Sequence, residues 1–451
     1  MDRTSGEKGL AAGVPPSDGE ASTDLVSYSR ELEDVSLRAI VDDTARSRIQ
    51  WAAPDGLEIA GRGTAVRFTA TGADRFTALR TQADTTFDSL THNGPRVARP
   101  RAFGGFAFHD THDPTPPWSG FEAASFVVPR LSVTRSPDGD TWLTAVDTDP
   151  DAATDRLAEW AHTLAETPPM QPVGSRPGVA STRRPTSPAA WADGVTAALD
   201  RIDGGDLTKV VLAQSLSVRL AEPIEVPDTL ERLRREYPNC YRFLLNQEGS
   251  GTFFGAPPEQ LVSKRGDRVD TEALAGSVPR GETPEADDEH AERMLDDDKL
   301  RHEHDLVVDA IRTQLAPFAD DLTVADRTIR RLATIQHLHT PIAATIDADS
   351  HVLELVEALH PTPAVGGVPP DIAWQTIRRT EPFDRGWYAA PIGWFDGDGD
   401  GEFAVGLRSG VATDETVTLF AGNGIVADSD PAEEWDEVQL KFRPVLDQLK
   451  R

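Results

Sequence analysis

Lys209 lies inside an apolar run, TKVVLA, in a chain with only six lysines among its 45 basic residues. A lysine desolvated within a strand gives up its proton more readily than one in water and can then serve as a base. An edge or outward-facing lysine suits the same run, so position alone leaves both readings open. Carboxylates supply the other candidate chemistry. Glu303 stands between His302 and His304, just ahead of an apolar stretch with helical spacing. Glu434 and Glu437 are three apart and share one face of a helix. Two helices that each aim a carboxylate inward can hold a hard cation. Mg2+ typically takes about one or two protein carboxylates and completes its shell with water and substrate oxygens. A solvated acidic face explains the same residues in so acidic a chain, and composition does not decide between the two.

Other patterns carry less. Gly422–Gly424 (GNG) matches neither a dinucleotide nor a phosphate-loop fingerprint. The HEH triplet His302–His304 is not HExxH, and residues two apart on a helix do not face one another, so its histidines do not share a metal. No Ser nucleophile elbow occurs. Cys240 is the single cysteine, which excludes an intrachain disulfide and a Cys-based zinc centre and fits a reducing, cytoplasmic setting.

These residues need elements to carry them. Ala189–Ile202 reads as a helix stopped by Gly204–Gly205, and Thr208–Leu220 as the strand that follows. Glu282–Leu315 reads as a long or broken helix holding Glu303, and Pro431–Lys450 as a closing helix with Pro431 near its first turn. Upstream, Glu31–Ser47 has helical spacing, while Phe103–Asp110, Phe126–Arg135 and Thr141–Asp147 read as strands. Residues 1–24, rich in Gly, Ser, Pro and acid, read as a disordered tail. Residues 25–165 form an N-terminal lobe on this reading, 166–187 a Pro- and Ser-rich linker or loop, and 188–451 the region carrying the chemistry.

Bulk composition sets limits. With 45 basic and 75 acidic residues the net charge is −30, which argues against nucleic acid and against an anionic membrane surface as partners. No apolar run reaches the roughly 18 residues of a membrane span, and the N-terminus has neither the basic start nor the apolar core of a secretory signal. Acid-rich, lysine-poor chains suit concentrated salt, where the Debye length shrinks to about 3 Å and carboxylates cease to repel at a distance. A halophilic source is therefore expected.

Read in order, nine segments resemble the chorismate-binding enzyme family. They are GDLTKVVLA (Gly205–Ala213), FFGAPPEQL (Phe253–Leu261), TEALAGSVPRG (Thr271–Gly281), KLRHEHDLVV (Lys299–Val308), IQHLHTPIAA (Ile335–Ala344), ALHPTPAVGGVP (Ala358–Pro369), EPFDRGWYAAPIGW (Glu381–Trp394), VGLRSG (Val405–Gly410) and AGNGIVADSDPAEEWDEVQLK (Ala421–Lys441). The first region resembles the family only through FGGFAF. The resemblance implies an α/β (α+β) fold like anthranilate synthase component I: a single large two-lobed domain with an antiparallel sheet-sandwich core, surrounding helices and a site between the lobes.

It also implies roles. Glu303 and Glu437 would bind Mg2+, which would hold the ring carboxylate of chorismate. Arg408 and Tyr388 would grip the enolpyruvyl carboxylate, with backbone amides near Gly422 and Gly424. Lys441 and the Gly276–Ser277 turn would help to seat the substrate, and His337 would lie beside the ring. Lys209 would be the general base and Glu259 the general acid. The family's aminating members carry glutamine at the Lys209 position, so lysine implies water as the nucleophile. Addition at C2 with loss of the C4 hydroxyl gives isochorismate, the favoured product; salicylate synthesis and a catalytically silent chorismate-binding homologue are the alternatives. Menaquinone supply is the expected use and siderophore synthesis the other. A cytoplasmic monomer is expected. Leu300, Gln214 and Ala390 depart from the family pattern, which usually has an acid, an Arg and a Gly at those places.

Overall fold

A computed structural model describes residues 24–33, 35–41, 47–168, 172–333, 335–413 and 415–451. The tail read over residues 1–24 lies outside these but for Asp24. The fold is mixed α/β, with two sheets of 13 and 10 strands among the described residues. All strand pairs are antiparallel except one, in which Val26–Leu32 runs parallel to Thr91–Asn93. A single hydrophobic cluster takes side chains from both sheets, for example Val210 and Leu212 from one and Val262 and Phe403 from the other. This is the antiparallel sandwich core that the resemblance implies.

Lys209–Leu220 occupies the larger sheet between Thr416–Ile425 and Val179–Arg183. Its first eight residues are all buried, as expected of a strand covered on both faces. In the smaller sheet, Gln260–Arg265, Arg268–Pro279 and Ile335–Ile346 lie side by side. Three helices close on these strands. Pro188–Asp203 begins at a Ser187 cap, whose side chain accepts from the Ala190 N–H, and ends at Gly204. The Glu282–Leu315 stretch is broken: Pro284–Asp296 stops, and Asp297 caps a second helix, Asp298–Leu315, by accepting from the Leu300 N–H. Asp430 caps the last helix, Pro431–Leu449, with Pro431 in its first turn.

Both sheets run continuously from one sequence region into the other. Arg48–Ala52 pairs with Arg242–Asn246 in the larger sheet, and Arg101–Phe106 with Pro391–Asp396 in the smaller. The sequence division at 166–187 therefore does not divide the sheets.

Three upstream expectations need correction. The described residues of Glu31–Ser47 form no α-helix, and residues 34 and 42–46 lie outside the described ones. The start of this stretch belongs to the strand Val26–Leu32, registered against Thr141–Asp147, and only Leu37–Ile40 makes a 3-10 turn. The apparent helical spacing arises because Val35, Leu37, Ile40 and Val41 all fill a small separate core with Leu131 and Leu143. Phe126–Arg135 is two strands, Ala124–Val128 and Leu131–Arg135. Within the stretch read as a linker, Val179–Arg183 is an edge strand on Lys209–Leu220. Its residues are largely exposed, which is why its composition looks like a loop.

Candidate active site

All twelve residues to which the resemblance gives a role line one cavity of about 410 Å3. Walls come from both sheets and from the helices Asp298–Leu315 and Pro431–Leu449. Three of the six lysines, Lys209, Lys299 and Lys441, are there, together with Arg408. Half of the chain's lysines thus meet at one concave site.

Lys209 begins its strand, and its side chain turns inward and is almost fully buried. Nζ donates to Glu303 Oε1 at 2.8 Å. Glu303 projects from the second turn of its helix. Burial would raise its pKa, but the charges of Lys209, Lys441 and Lys299 and the Lys209 hydrogen bond hold it below the usual carboxylate range. Gly424 leaves room for this pair: a Cβ there would lie 2.9 Å from Lys209 Cε and 3.1 Å from Glu303 Oε1. Gly422 does the same for Tyr388, whose hydroxyl would stand 3.2 Å from an added Cβ. Both glycines follow from register, since Gly424 pairs with Val211 and Gly422 with Ala213 on the neighbouring strand.

Glu259 enters from the opposite sheet, just before the strand Gln260–Arg265, and is buried. Desolvation, with the nearby Glu272 charge, pushes its pKa up to about 8 against the pull of Lys209 and Arg330. It therefore keeps its proton at neutral pH. A lysine and a protonated carboxyl on facing walls are groups able to exchange protons with a molecule bound between them.

The remaining residues make a cradle for anions. Arg408 has a left-handed backbone, φ 47°. Its guanidinium contacts the Cys240 thiol at 3.9 Å and the face of Tyr237 at 5.9 Å. Among the described residues no carboxylate pairs with it, and burial pushes its pKa down. A buried guanidinium without a counterion favours an incoming carboxylate. Burial raises the Tyr388 pKa, so its hydroxyl remains a donor. His337 is held well below its usual pKa by burial and by the Arg408 and Lys441 charges; it is neutral, and Nδ1 meets the Ser277 hydroxyl at 3.0 Å. Lys441 Nζ reaches Asn423 Oδ1 at 2.7 Å, Glu437 Oε1 at 3.0 Å and the Gly422 carbonyl at 3.2 Å.

Sequence reading passed over Asn423, whereas it had named Glu434 only as a partner of Glu437 on one helix face. Asn423 lies inside the GNG triplet and bridges Lys441 to the buried Glu434. Glu434 lines the cavity with Glu437, and burial and the Glu437 charge push its pKa up. An amide between two glycines was the available signal for Asn423. Of the departures, Leu300 lines the cavity beside Gly276. Gln214 is buried with its amide unpartnered, and Ala390 is fully buried.

Oxygen donors suited to a hard cation are present in Glu303, Glu434 and Glu437. Among the described residues no three His, Cys, Asp or Glu side chains converge closely enough to enclose a metal by themselves. That combination fits an ion such as Mg2+, which keeps few protein ligands, and not a closed structural zinc.

Comparison with known proteins agrees with the cavity. The chorismate binding enzyme family matches residues 14–450. A salicylate biosynthesis isochorismate synthase of Pseudomonas aeruginosa is 35% identical, over 94% of this chain and 90% of that protein. The isochorismate synthase MenF of Bacillus subtilis is 33% identical, over 94% and 93% respectively. The solved structure of MenF, the menaquinone-specific isochorismate synthase of Escherichia coli, superposes with a TM-score of 0.80 at 27% identity, covering 94% of this chain and 95% of that one. The chain belongs to the chorismate-binding enzyme family.

Proposed function

We propose that this chain is an isochorismate synthase, an isomerase that converts chorismate to isochorismate in the presence of Mg2+. The observation that carries the reading is the placing of Lys209 and Glu259 on facing walls of one cavity, with Glu259 still protonated at neutral pH. The names of the two relatives, each matched over most of both chains, support it.

The chemistry follows from the walls. Arg408, with the Tyr388 hydroxyl and the amides around Gly422 and Gly424, binds the enolpyruvyl carboxylate. Glu303 and Glu437 would hold Mg2+, which would supply positive charge for the ring carboxylate. Lys441 and the Gly276–Ser277 turn seat the substrate, and the neutral His337 lies beside the ring without adding charge. Lys209, the general base on this reading, takes a proton from water as its oxygen bonds to C2. Glu259 gives its proton to the C4 hydroxyl, which leaves as water while the ring double bonds shift. One water enters and one departs, so the overall change is an isomerisation. Acid and base of this kind each contribute about 10²–10⁴-fold.

Menaquinone supply is the use we favour, with siderophore synthesis as the other; relatives of both kinds, MenF and DhbC of B. subtilis, are 33% and 39% identical. We read the protein as a cytoplasmic monomer from a salt-rich habitat. Its one cysteine is buried, and no helix among the described residues is long and apolar enough to cross a membrane. Incubation of the purified chain with chorismate and Mg2+ in high salt, followed by product analysis, tests the function. Isochorismate alone supports it. Salicylate with pyruvate moves the chain to salicylate synthesis, and no conversion marks a silent homologue.

A further inference from the structure

One buried carboxylate near the site has no part in the chemistry above. Glu272 lies on the strand Arg268–Pro279, two residues before the cavity-lining Leu274 and on the same face. Its side chain is only 10% exposed, yet it is fully engaged. Oε2 meets His339 Nε2 at 2.7 Å, and Oε1 accepts from Arg330 Nη1 at 2.5 Å. Oε1 also accepts from the backbone N–H of Gln260, at 3.1 Å, the residue directly after Glu259. Register explains the assembly. Leu274 pairs with His339 across the adjoining strand, and Arg330 pairs with His337 one strand further out. Glu272, His339 and Arg330 thus form a polar tier on the same sheet face, next to the part of the wall that bears Glu259 and His337.

We propose that Glu272 is a positioning residue for the reaction: locked in place by Arg330 and His339, it fixes the backbone beside Glu259 and presents a permanent negative charge that keeps Glu259 the proton donor. The proposal rests on the reading of Glu259 as general acid. Burial alone would favour the neutral form of a carboxyl, but three donors converge on Glu272 and favour its ionised form. Despite burial its pKa is lowered, through the His339 hydrogen bond, the Arg330 charge and the Gln260 amide. Like charges that share a site cannot both ionise freely, so Glu259 takes the proton. The opposing groups are accounted for. Lys209 faces Glu259 from the larger sheet and Arg330 from behind, and both favour its ionisation, but burial and Glu272 outweigh them. Glu303, His337 and Arg408 line the other walls, and His337 is uncharged.

The test is the pH dependence of chorismate conversion in Glu272→Gln, measured as kcat/KM against wild type. Glutamine keeps one oxygen for the Gln260 amide and Arg330, removes the charge, and replaces the oxygen facing His339 by an NH2 that donates to the ring in its acceptor tautomer. The alkaline limb should move from near 8 to lower pH by about one unit. Activity should then fall about fivefold at pH 8 and by about a tenth at pH 6. A limb that stays in place, with activity lowered equally at every pH, would mean a merely structural role and overturns the proposal. Should the single variant fail to fold because Arg330 is left unpaired, Glu272→Gln with Arg330→Gln removes both charges together. Its limb should move the same way by less, and an unmoved limb is again fatal. If Glu259 is not the acid, wild type itself has no alkaline limb that Glu259→Gln abolishes, which separates that failure from this one.

Discussion

Replacing Lys209 by methionine should separate what this residue does for the fold from what it does for catalysis. Lys209 and Glu303 form an ion pair at 2.8 Å, with side chains 2% and 17% exposed. Removing the cation alone strands a buried carboxylate, and breaking such a pair costs about 3–5 kcal/mol. Neutralising both partners, with Lys209→Met and Glu303→Gln together, should restore most of that stability, because a buried pair replaced by neutral groups of similar volume is often close to even. The single variant's penalty is also pH-dependent. In the native pair Glu303 is held below its usual pKa, so its contribution is present above about 4.5 and lost as pH falls through the lowered folded value. The deficit of Lys209→Met should therefore shrink in acid. Denaturant unfolding of wild type, both single variants and the double gives the coupling energy. Turnover follows a different rule: Lys209→Met should lose about 10²–10⁴-fold while chorismate still binds. A Lys209→Met protein that turns over within about tenfold of wild type would refute the base assignment. A double variant no more stable than the single would refute the account of the pair.

Glu259 keeps its proton up to about 8, so chorismate conversion should fall as pH rises through that value, and Glu259→Gln should remove both the limb and most of the activity in a pH–rate profile. The same raised pKa stabilises the fold fully below its ordinary 4.5, and this contribution is lost as pH climbs through 8. Glu437→Gln should raise the Mg2+ concentration needed for half activity or end activity; an unchanged metal titration would remove Glu437 as a ligand. With a net charge of −30, the chain should unfold at markedly higher denaturant in molar salt than at low ionic strength, and an unfolding curve indifferent to salt would remove the halophilic reading.

Much of the site could be read in the sequence, but not from composition. Lys209 in an apolar strand was a fair signal on its own, whereas Glu303, Glu434 and Glu437 looked like any acidic surface until nine ordered segments gave them a context. Local signals placed two helices: Gly204–Gly205 stops the one that Ser187 caps, and Pro431 opens the one that Asp430 caps. What stayed hidden depends on pairing between distant strands. Nothing local couples Lys209 to Glu303, 94 residues away, or Glu272 to His339, 67 away. Nor could local pattern show that Val179–Arg183, polar and exposed, completes a sheet edge. Glu31–Ser47 misled because burial in a small core imitates helical spacing.

The central claim is that water attacks C2 of chorismate with Lys209 as base and Glu259 as acid. Conversion of chorismate in water enriched in oxygen-18, with the product analysed by mass spectrometry, tests it most directly. The account predicts isochorismate carrying one heavy oxygen, at the C2 hydroxyl, formed about 10²–10⁴-fold more slowly by Lys209→Met. Unlabelled isochorismate would mean that the original hydroxyl migrates, and would contradict the mechanism.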